Sequence, residues 1–368
     1  MIVPVNQPLI AKNSLKYVKE CIKSGWVSSQ GKFISSFEES FAKFLQVRFA
    51  TTTTNGTTAL HLALASLNIG PGDEVIVPNL TIISCPLAVL YTGAKPVLVD
   101  VEEQTGNLDV SKIESKITKK TKAIMVVHLY GHPADMDPVL KIAKKYKLYV
   151  VEDAAQAHGA TYKGKKVGSI GDVGCFSFYA NKIVTSGEGG MLTTNNEKIF
   201  KRAVLLKDLA HSPKKRFFHH HIGFNFRMTN MQAALGFAQL EQVDKYIKKK
   251  RWMADLYNKL LKDQKKLELP KERDFARSVF WMYAVKVKGI KRDFLRKKLL
   301  DFGIDTRTFF YPLHRQPVLR REIPLIDEPF PVSDDLATRG FYLPSGLAIT
   351  KPQIYFVSKT IKKILNDT

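Results

Sequence analysis

Three cysteines in 368 residues, Cys21, Cys85 and Cys175, are too few and too scattered for a disulfide framework. None forms a C-x-x-C pair, so a zinc site of that kind is not expected. Long apolar runs are missing as well: no stretch approaches the ~18 to 20 residues that cross a bilayer. The start, "MIVPVNQPLI", lacks the basic-then-apolar order of a secretory leader. A cytoplasmic protein with no membrane partner is the expectation. Acidic residues are also scarce, 34 against 57 Lys and Arg, which leaves a formal net charge of +23. The basic runs "KITKKTK" from Lys116, "YIKKKR" from Tyr246 and "KRDFLRKKLL" from Lys291 are interleaved with apolar residues, as solvated helix faces are. No helix-turn-helix extension or aromatic-basic RNA motif accompanies the charge, so nucleic acid is not the expected partner. A basic surface does concentrate anions, which favours phosphorylated or nucleotide substrates.

What is present is ordinary globular material, 45% hydrophobic and 25% charged. Two amphipathic helical segments, "NSLKYVKECIKSGW" and "FISSFEESFAKFLQ", lead into an alternation of strands and helices. The β-rich runs are "DEVIVP", "AKPVLVD", "KAIMVVHLYG", "KLYVVED" and "GCFSF"; helical patterns separate several of them. This predicts an α/β fold with a parallel sheet covered on both faces. From Met228 a long helical segment reads as a spine or a bend, and beyond Pro270 a smaller α+β pattern follows. We therefore expect a large domain over residues 1–250, including the N-terminal helices, and a small C-terminal domain over 251–368.

Open parallel sheets bind ligands at the carboxyl ends of their strands, and three motifs occupy such places. In "TTTTNGTTALHLAL" a strand end turns through Asn55 and Gly56 into a helix, so Gly56, Thr57 and Thr58 offer free N–H groups and hydroxyls to an anion. Taken alone, an ordinary helix cap is the simpler reading. In "YVVEDAAQAHGA" Glu152 and Asp153 close the most hydrophobic strand, followed by Gln156 and His158. In "CFSFYANKIVTSGEGGMLTTN" a single lysine, Lys182, stands between two apolar strands, where it is either solvated, paired, or shifted toward a neutral amine. Together the three supply what pyridoxal 5′-phosphate (PLP) requires: an anion site, a carboxylate for the pyridinium nitrogen and an amine for the aldehyde. No metal role is expected for the "FFHHHIG" tract, His219 to His221, which lacks an acidic or cysteine partner in sequence. Nor is one expected for His128 and His132, which Gly131 keeps off one helix face.

The stretch "EDAAQAHGATYKGKKVGSIGDVGCFSFYANKIVTSGEGGMLTTN" resembles the signature of the PLP-dependent nucleotide-sugar aminotransferases of the DegT/DnrJ/EryC1/StrS family, and the resemblance extends from "GWVSSQGKFISSFEESFA" to "FYLPSGLAIT". It implies a fold-type-I, aspartate aminotransferase-like enzyme with a mostly parallel central sheet. It also implies that Lys182 is the Schiff-base lysine, that Asp153 binds the pyridinium nitrogen and that Gln156 lies beside the ring oxygen. Gly56, Thr57 and Ser177 would bind phosphate. Asn225, in "GFNFRMTNMQAALG", would reach the phosphate of a neighbouring subunit, which implies a homodimer with shared sites. At the position where the family stacks an aromatic ring on the cofactor this chain has Ile82, whose aliphatic side chain can still pack there.

The segments "FFYPLHRQP" and "RGFYLPSGLAIT" are similar to those of members that aminate the C4 ketone of GDP-4-keto-6-deoxymannose with L-glutamate as donor. By that likeness Tyr311, His314, Arg339 and Ser345 would lie near the sugar nucleotide. Aminases of dTDP- or UDP-linked 4-keto-6-deoxyglucose, and sugar 3-aminotransferases, remain open alternatives, as does a non-catalytic PLP-binding regulator. A 3-dehydratase is disfavoured, since those relatives carry histidine where this chain has Lys182.

Overall fold

The computed structural model describes residues 1–212, 214–215, 217–323 and 328–367. Helix α1 (Ser14–Ser24) ends where Gly25 adopts φ 75°, a left-handed cap natural to glycine. Helix α2 (Lys32–Leu45) places Phe33, Phe37, Phe41 and Leu45 four residues apart, so one stripe of large side chains is buried against the rest of the domain. Five strands then alternate with helices: β1 (Phe49–Thr53), α3 (Gly56–Ser66), β2 (Glu74–Pro78), α4 (Ser84–Tyr91), β3 (Lys95–Val99), β4 (Thr121–Val127), α5 (Met136–Tyr146) and β5 (Tyr149–Asp153). A short ribbon, β6 (Thr161–Tyr162) and β7 (Lys165–Lys166), precedes β8 (Val173–Ser177) and β9 (Gly190–Thr194).

The central sheet has the order β1-β9-β8-β5-β4-β2-β3. It is parallel except at β9, which runs antiparallel to both β1 and β8. The expected parallel sheet is thus mixed at one strand. Because β8 and β9 are hairpin partners, the segment carrying Lys182 is their connection and lies at the carboxyl end of β8. Strand β9 also lies between β8 and β1, and a Cβ on Gly190 would fall 2.2 Å from the carbonyl oxygen of Asn55. The lysine connection and the turn into α3 are therefore packed edge to edge.

After α6 (Glu197–Lys207) the expected long helix is two, α7 (Asn230–Leu240) and α8 (Val243–Leu261), which break at Glu241 and Gln242. Thr229 and Gln232 form a capping box that starts α7. Helix α8 runs unbroken through residue 250. Its later turns contribute Met253, Ala254, Tyr257 and Leu261 to a second apolar core. That core is built with the sheet β10 (Leu267–Glu268), β12 (Tyr283–Val287), β14 (Gly340–Leu343) and β13 (Arg307–Thr308), in that order. The strand β11 (Ala276–Arg277) pairs with β6. Helices α9 (Arg292–Asp301), α10 (Pro317–Glu322), α11 (Pro331–Arg339) and α12 (Lys351–Asn366) complete the chain. Not all of the C-terminal part belongs to the second core: Trp281, Phe309 and Tyr342 are buried with the first.

Candidate active site

A cleft of about 590 Å³ opens at the carboxyl ends of β1, β5 and β8, and the C-terminal part of the chain closes one side of it. Gly56, Thr57, Ile82, Asp153, Gln156, Ser177 and Lys182 all line it. Seven positions selected along 127 residues of sequence thus share one cavity.

At one end the Asn55 side chain accepts from Thr58 N–H at 2.9 Å, and Thr58 Oγ1 accepts from Asn55 N–H at 3.1 Å. This reciprocal cap leaves the amides of Gly56 and Thr57 with no partner among the described residues, at the positive end of α3. The Thr57 hydroxyl bonds to Ser84 Oγ at 2.9 Å. Gly56 has no room for a side chain, since a Cβ would stand 2.7 Å from Ser177 Cβ. The two walls thus meet where backbone N–H groups and the Ser177 hydroxyl are available to one anion.

On the cleft floor, Asp153 is 2% exposed. Its Oδ1 accepts from Ala155 N–H at 3.0 Å and its Oδ2 from the Cys85 thiol at 3.1 Å. Burial, and then the Asp153 charge, push the Cys85 pKa well above its usual value, so the thiol remains a donor. The adjacent Glu152 points the other way into the protein. It accepts from the N–H groups of Gly168, Ile170 and Gly171, each at 2.7 Å, and bonds to His128 Nε2 at 3.0 Å. Of the two neighbouring carboxylates only Asp153 faces the cleft. Gln156 Oε1 accepts from Tyr130 N–H at 2.8 Å, which fixes the amide so that its NH₂ is the end left for a ligand.

Lys182 is partly open to the cleft, and its Nζ lies 3.9 Å from the centre of the Trp281 ring. Burial lowers its pKa to about 8, with the Asp153 carboxylate acting in the opposite direction. The amine is therefore half neutral near pH 8 and about one-tenth neutral at pH 7. His158, fully buried among Phe41, Phe176 and Phe178, is held neutral by burial, with a pKa lowered to about 3. It belongs to the packing under the cleft.

Four cleft residues escape sequence reasoning: Trp281, Arg307, Phe310 and Tyr342. All come from the C-terminal part; Phe310 and Tyr342 lie within "FFYPLHRQP" and "RGFYLPSGLAIT", beside the residues expected near the sugar nucleotide, and only the fold brings the four to Lys182. Their local signal, aromatic clusters in "FWMY" and "TRTFFYP", does not distinguish a site wall from a core.

The expected substrate contacts fare differently. Ser345 is fully buried; its hydroxyl donates to Leu343 C=O at 2.8 Å and accepts from Tyr283 N–H at 3.2 Å, so it is committed to the small sheet. His314 is 8% exposed, bonded to Asn79 and stacked on Phe330 with ring centres 4.8 Å apart. Arg339, at the end of α11, is engaged by Asp335 and Glu268. These three lie outside the cleft lining: Arg339 and Ser345 flank strand β14, whose Tyr342 does line the cleft, and His314 is held against Asn79. Tyr311 is 70% exposed and lies outside the lining too. Asn225 is exposed, accepts from Arg227 Nε at 3.0 Å, and does not line the cleft of its own chain.

An anion end, one buried carboxylate facing in and an amine with a lowered pKa, on a mostly parallel sheet, are the parts of a PLP site. The chain belongs to the DegT/DnrJ/EryC1/StrS aminotransferase family, whose model matches residues 8–362. It is 43% identical over 366 residues to the GDP-perosamine synthase of Escherichia coli O157:H7, covering 99% of each chain. Among solved structures it is similar to S. venezuelae DesV in complex with a ketimine intermediate, at 35% identity and a TM-score of 0.91, covering 96% and 94% of the two chains. A Streptococcus pneumoniae protein solved in a PMP form is 25% identical with a TM-score of 0.95, covering 100% of this chain and 98% of that one.

Proposed function

We propose that this enzyme moves an amino group from L-glutamate to the C4 ketone of a nucleotide-linked 4-keto-6-deoxyhexose, using PLP. GDP-4-keto-6-deoxymannose is the preferred acceptor in this reading, supported by full-length likeness to a GDP-perosamine synthase. The observation that carries the chemistry is the convergence of Gly56, Asp153 and Lys182 on one cleft. The cleft fits the cofactor: a side chain at Gly56 would fill the cradle, and one buried carboxylate faces in.

PLP supplies an aldehyde that captures amines and a ring that takes up the electrons released from a substrate C–H bond. The amides of Gly56 and Thr57 and the Ser177 hydroxyl would hold its phosphate, and Ile82 would pack against its ring. Asp153 would keep a proton on the ring nitrogen, while Gln156 would donate its NH₂ to the ring oxygen. Lys182 would hold the aldehyde carbon. Its Nζ, half neutral near pH 8, would accept a proton from the substrate carbon and return it to the other reacting carbon. The Trp281 ring would limit water at that nitrogen.

The same reading gives Asn225 a phosphate in the partner subunit of a homodimer. Its exposure, together with that of the apolar residues Trp26 (55%) and Ile222 (90%), supports a covered face. We place the domain boundary at residue 250, within α8, since the second core draws on that helix from Met253 onward. Among the described residues no helix is long and apolar enough to cross a membrane, and we place the enzyme in the cytoplasm.

The deciding experiment supplies glutamate with a panel of 4-keto-6-deoxy and 3-keto sugar nucleotides and identifies the aminated product by mass spectrometry and NMR. Amination at C4 of the GDP sugar is expected. Amination confined to 3-keto sugars would overturn the regiochemistry, and a PLP band unresponsive to glutamate would favour a regulator.

A further inference from the structure

Lys250 is a buried lysine to which the chemistry above assigns no role. It sits on α8, 2% exposed, and among the described residues it has no carboxylate partner. Its Nζ donates to the carbonyl of Trp281 at 2.6 Å and to the carbonyl of Ser345. Burying an ammonium with only carbonyls for company is expensive, and an apolar residue of similar length would avoid that cost. What the arrangement provides is position.

The two carbonyls belong to the segments that flank the small sheet. Trp281 lies two residues before β12, and Ser345 two residues after β14. Ser345 is further tied in through its N–H to Val5 C=O at 2.9 Å. At the other end of the same tryptophan, Nε1 donates to Asn181 C=O at 2.8 Å, on the residue before Lys182. The indole is thus pinned through its backbone by Lys250 and through its ring by the lysine connection. Between these two anchors its ring is set against Lys182 Nζ.

We propose that Lys250 is a positioning residue: by clamping the Trp281 carbonyl to the Ser345 segment it seats the indole on the Lys182 amine and shields that amine from reagents other than the intended ones. The inference rests on Lys182 being the reacting amine. That premise has its own check, because borohydride reduction of the PLP-loaded protein should leave the adduct on Lys182.

The test is the rate at which trinitrobenzenesulfonate modifies Lys182 in full-length protein freed of cofactor, followed by peptide mass spectrometry with surface lysines as internal reference. Lys250→Met should accelerate modification of Lys182 about fivefold or more and leave the reference lysines unchanged. Lys250→Arg, whose guanidinium can donate to both carbonyls, should restore a rate near that of the parent. Trp281→Leu should reproduce the acceleration, and combining it with Lys250→Met should add little further, since both remove one shield. A Lys182 rate within about twofold of the parent in folded Lys250→Met, with Trp281→Leu still accelerated, would overturn the proposal. So would an acceleration shared by all lysines and not rescued by arginine.

Discussion

The Cys85 thiol and the Asp153 carboxylate meet at 3.1 Å beneath the cleft, although 68 residues separate them in the chain. The thiol and the Ala155 amide occupy one oxygen each, which fixes the plane of the carboxylate before any ligand arrives. Asp153→Asn keeps the shape and removes the charge. It should lower kcat by about two orders of magnitude, the range seen when one preorganised electrostatic partner is lost. Cys85→Ser, which keeps a donor, should stay close to the parent. Steady-state kinetics on the amination reaction checks both, and an active Asp153→Asn would remove Asp153 from its assigned place.

Gly56→Ala tests the cradle. Its methyl would strike Ser177 Cβ, so the walls must part, at a cost of about 1–3 kcal/mol in strain. PLP affinity measured by fluorescence titration should fall about fivefold or more, since 1.4 kcal/mol is a factor of ten. Unchanged affinity would place the phosphate elsewhere.

Lys250 makes stability depend on pH in an unusual direction. Burial lowers its pKa to about 7 in the folded chain, whereas in the unfolded chain it retains the ordinary value near 10.5. Between those values the unfolded state binds the additional proton, so stability rises with pH. The contribution approaches about 1.4 kcal/mol per pH unit above pH 7. Urea unfolding of cofactor-free protein at intervals from pH 7 to 8.5 should show this rise, and Lys250→Met should lower its slope, leaving toward pH 8 and above the part that Lys182, its own pKa lowered to about 8, contributes in the same sense. Parallel curves for the two proteins would contradict the assignment. Above this range, buried thiols such as Cys85, whose pKa burial raises, act in the opposite sense.

Glu152 predicts the behaviour on the acid side. Burial alone would raise its pKa, but His128 and the amides of Gly171 and Gly168 bring it below the usual carboxylate value. Its contribution to stability is complete above the ordinary glutamate range and is lost as pH falls through the folded value. Glu152→Ala should cost about 3–5 kcal/mol, since it leaves the N–H groups of Gly168, Ile170 and Gly171 without their acceptor, at about 1–3 kcal/mol for each buried group. Thermal melts against pH measure both effects, and a loss under about 1 kcal/mol would show that the pair is dispensable.

Much of the fold is readable from local pattern. The strand ending in Asp153, the cap at Asn55 and the hairpin arms around Lys182 are encoded within a dozen residues each, by periodicity and turn chemistry. What local pattern does not carry is pairing. Nothing in "GMLTT" distinguishes a strand antiparallel to its neighbours from a parallel one, because side-chain alternation is the same in both. Trp281 is invisible for a related reason: "FWMYAVKV" reads as a buried strand, and only the closure of the small sheet turns its first indole toward Lys182. Ser345 shows the opposite failure. A family-like segment led to a site role, yet the backbone needs of β12 and β14 consume its hydroxyl.

Strand β1 sits at the sheet edge and its ladder partner is β9, with Phe49 opposite Thr194. During synthesis β1 therefore emerges well before its neighbour exists. At ribosomal rates that interval is on the order of ten seconds. For that time a threonine-rich edge and the turn that would hold phosphate remain unpaired, and such long-range closure is slow in its own right. Cofactor capture must follow the arrival of β9, which makes assembly of the site a late event in the maturation of the chain.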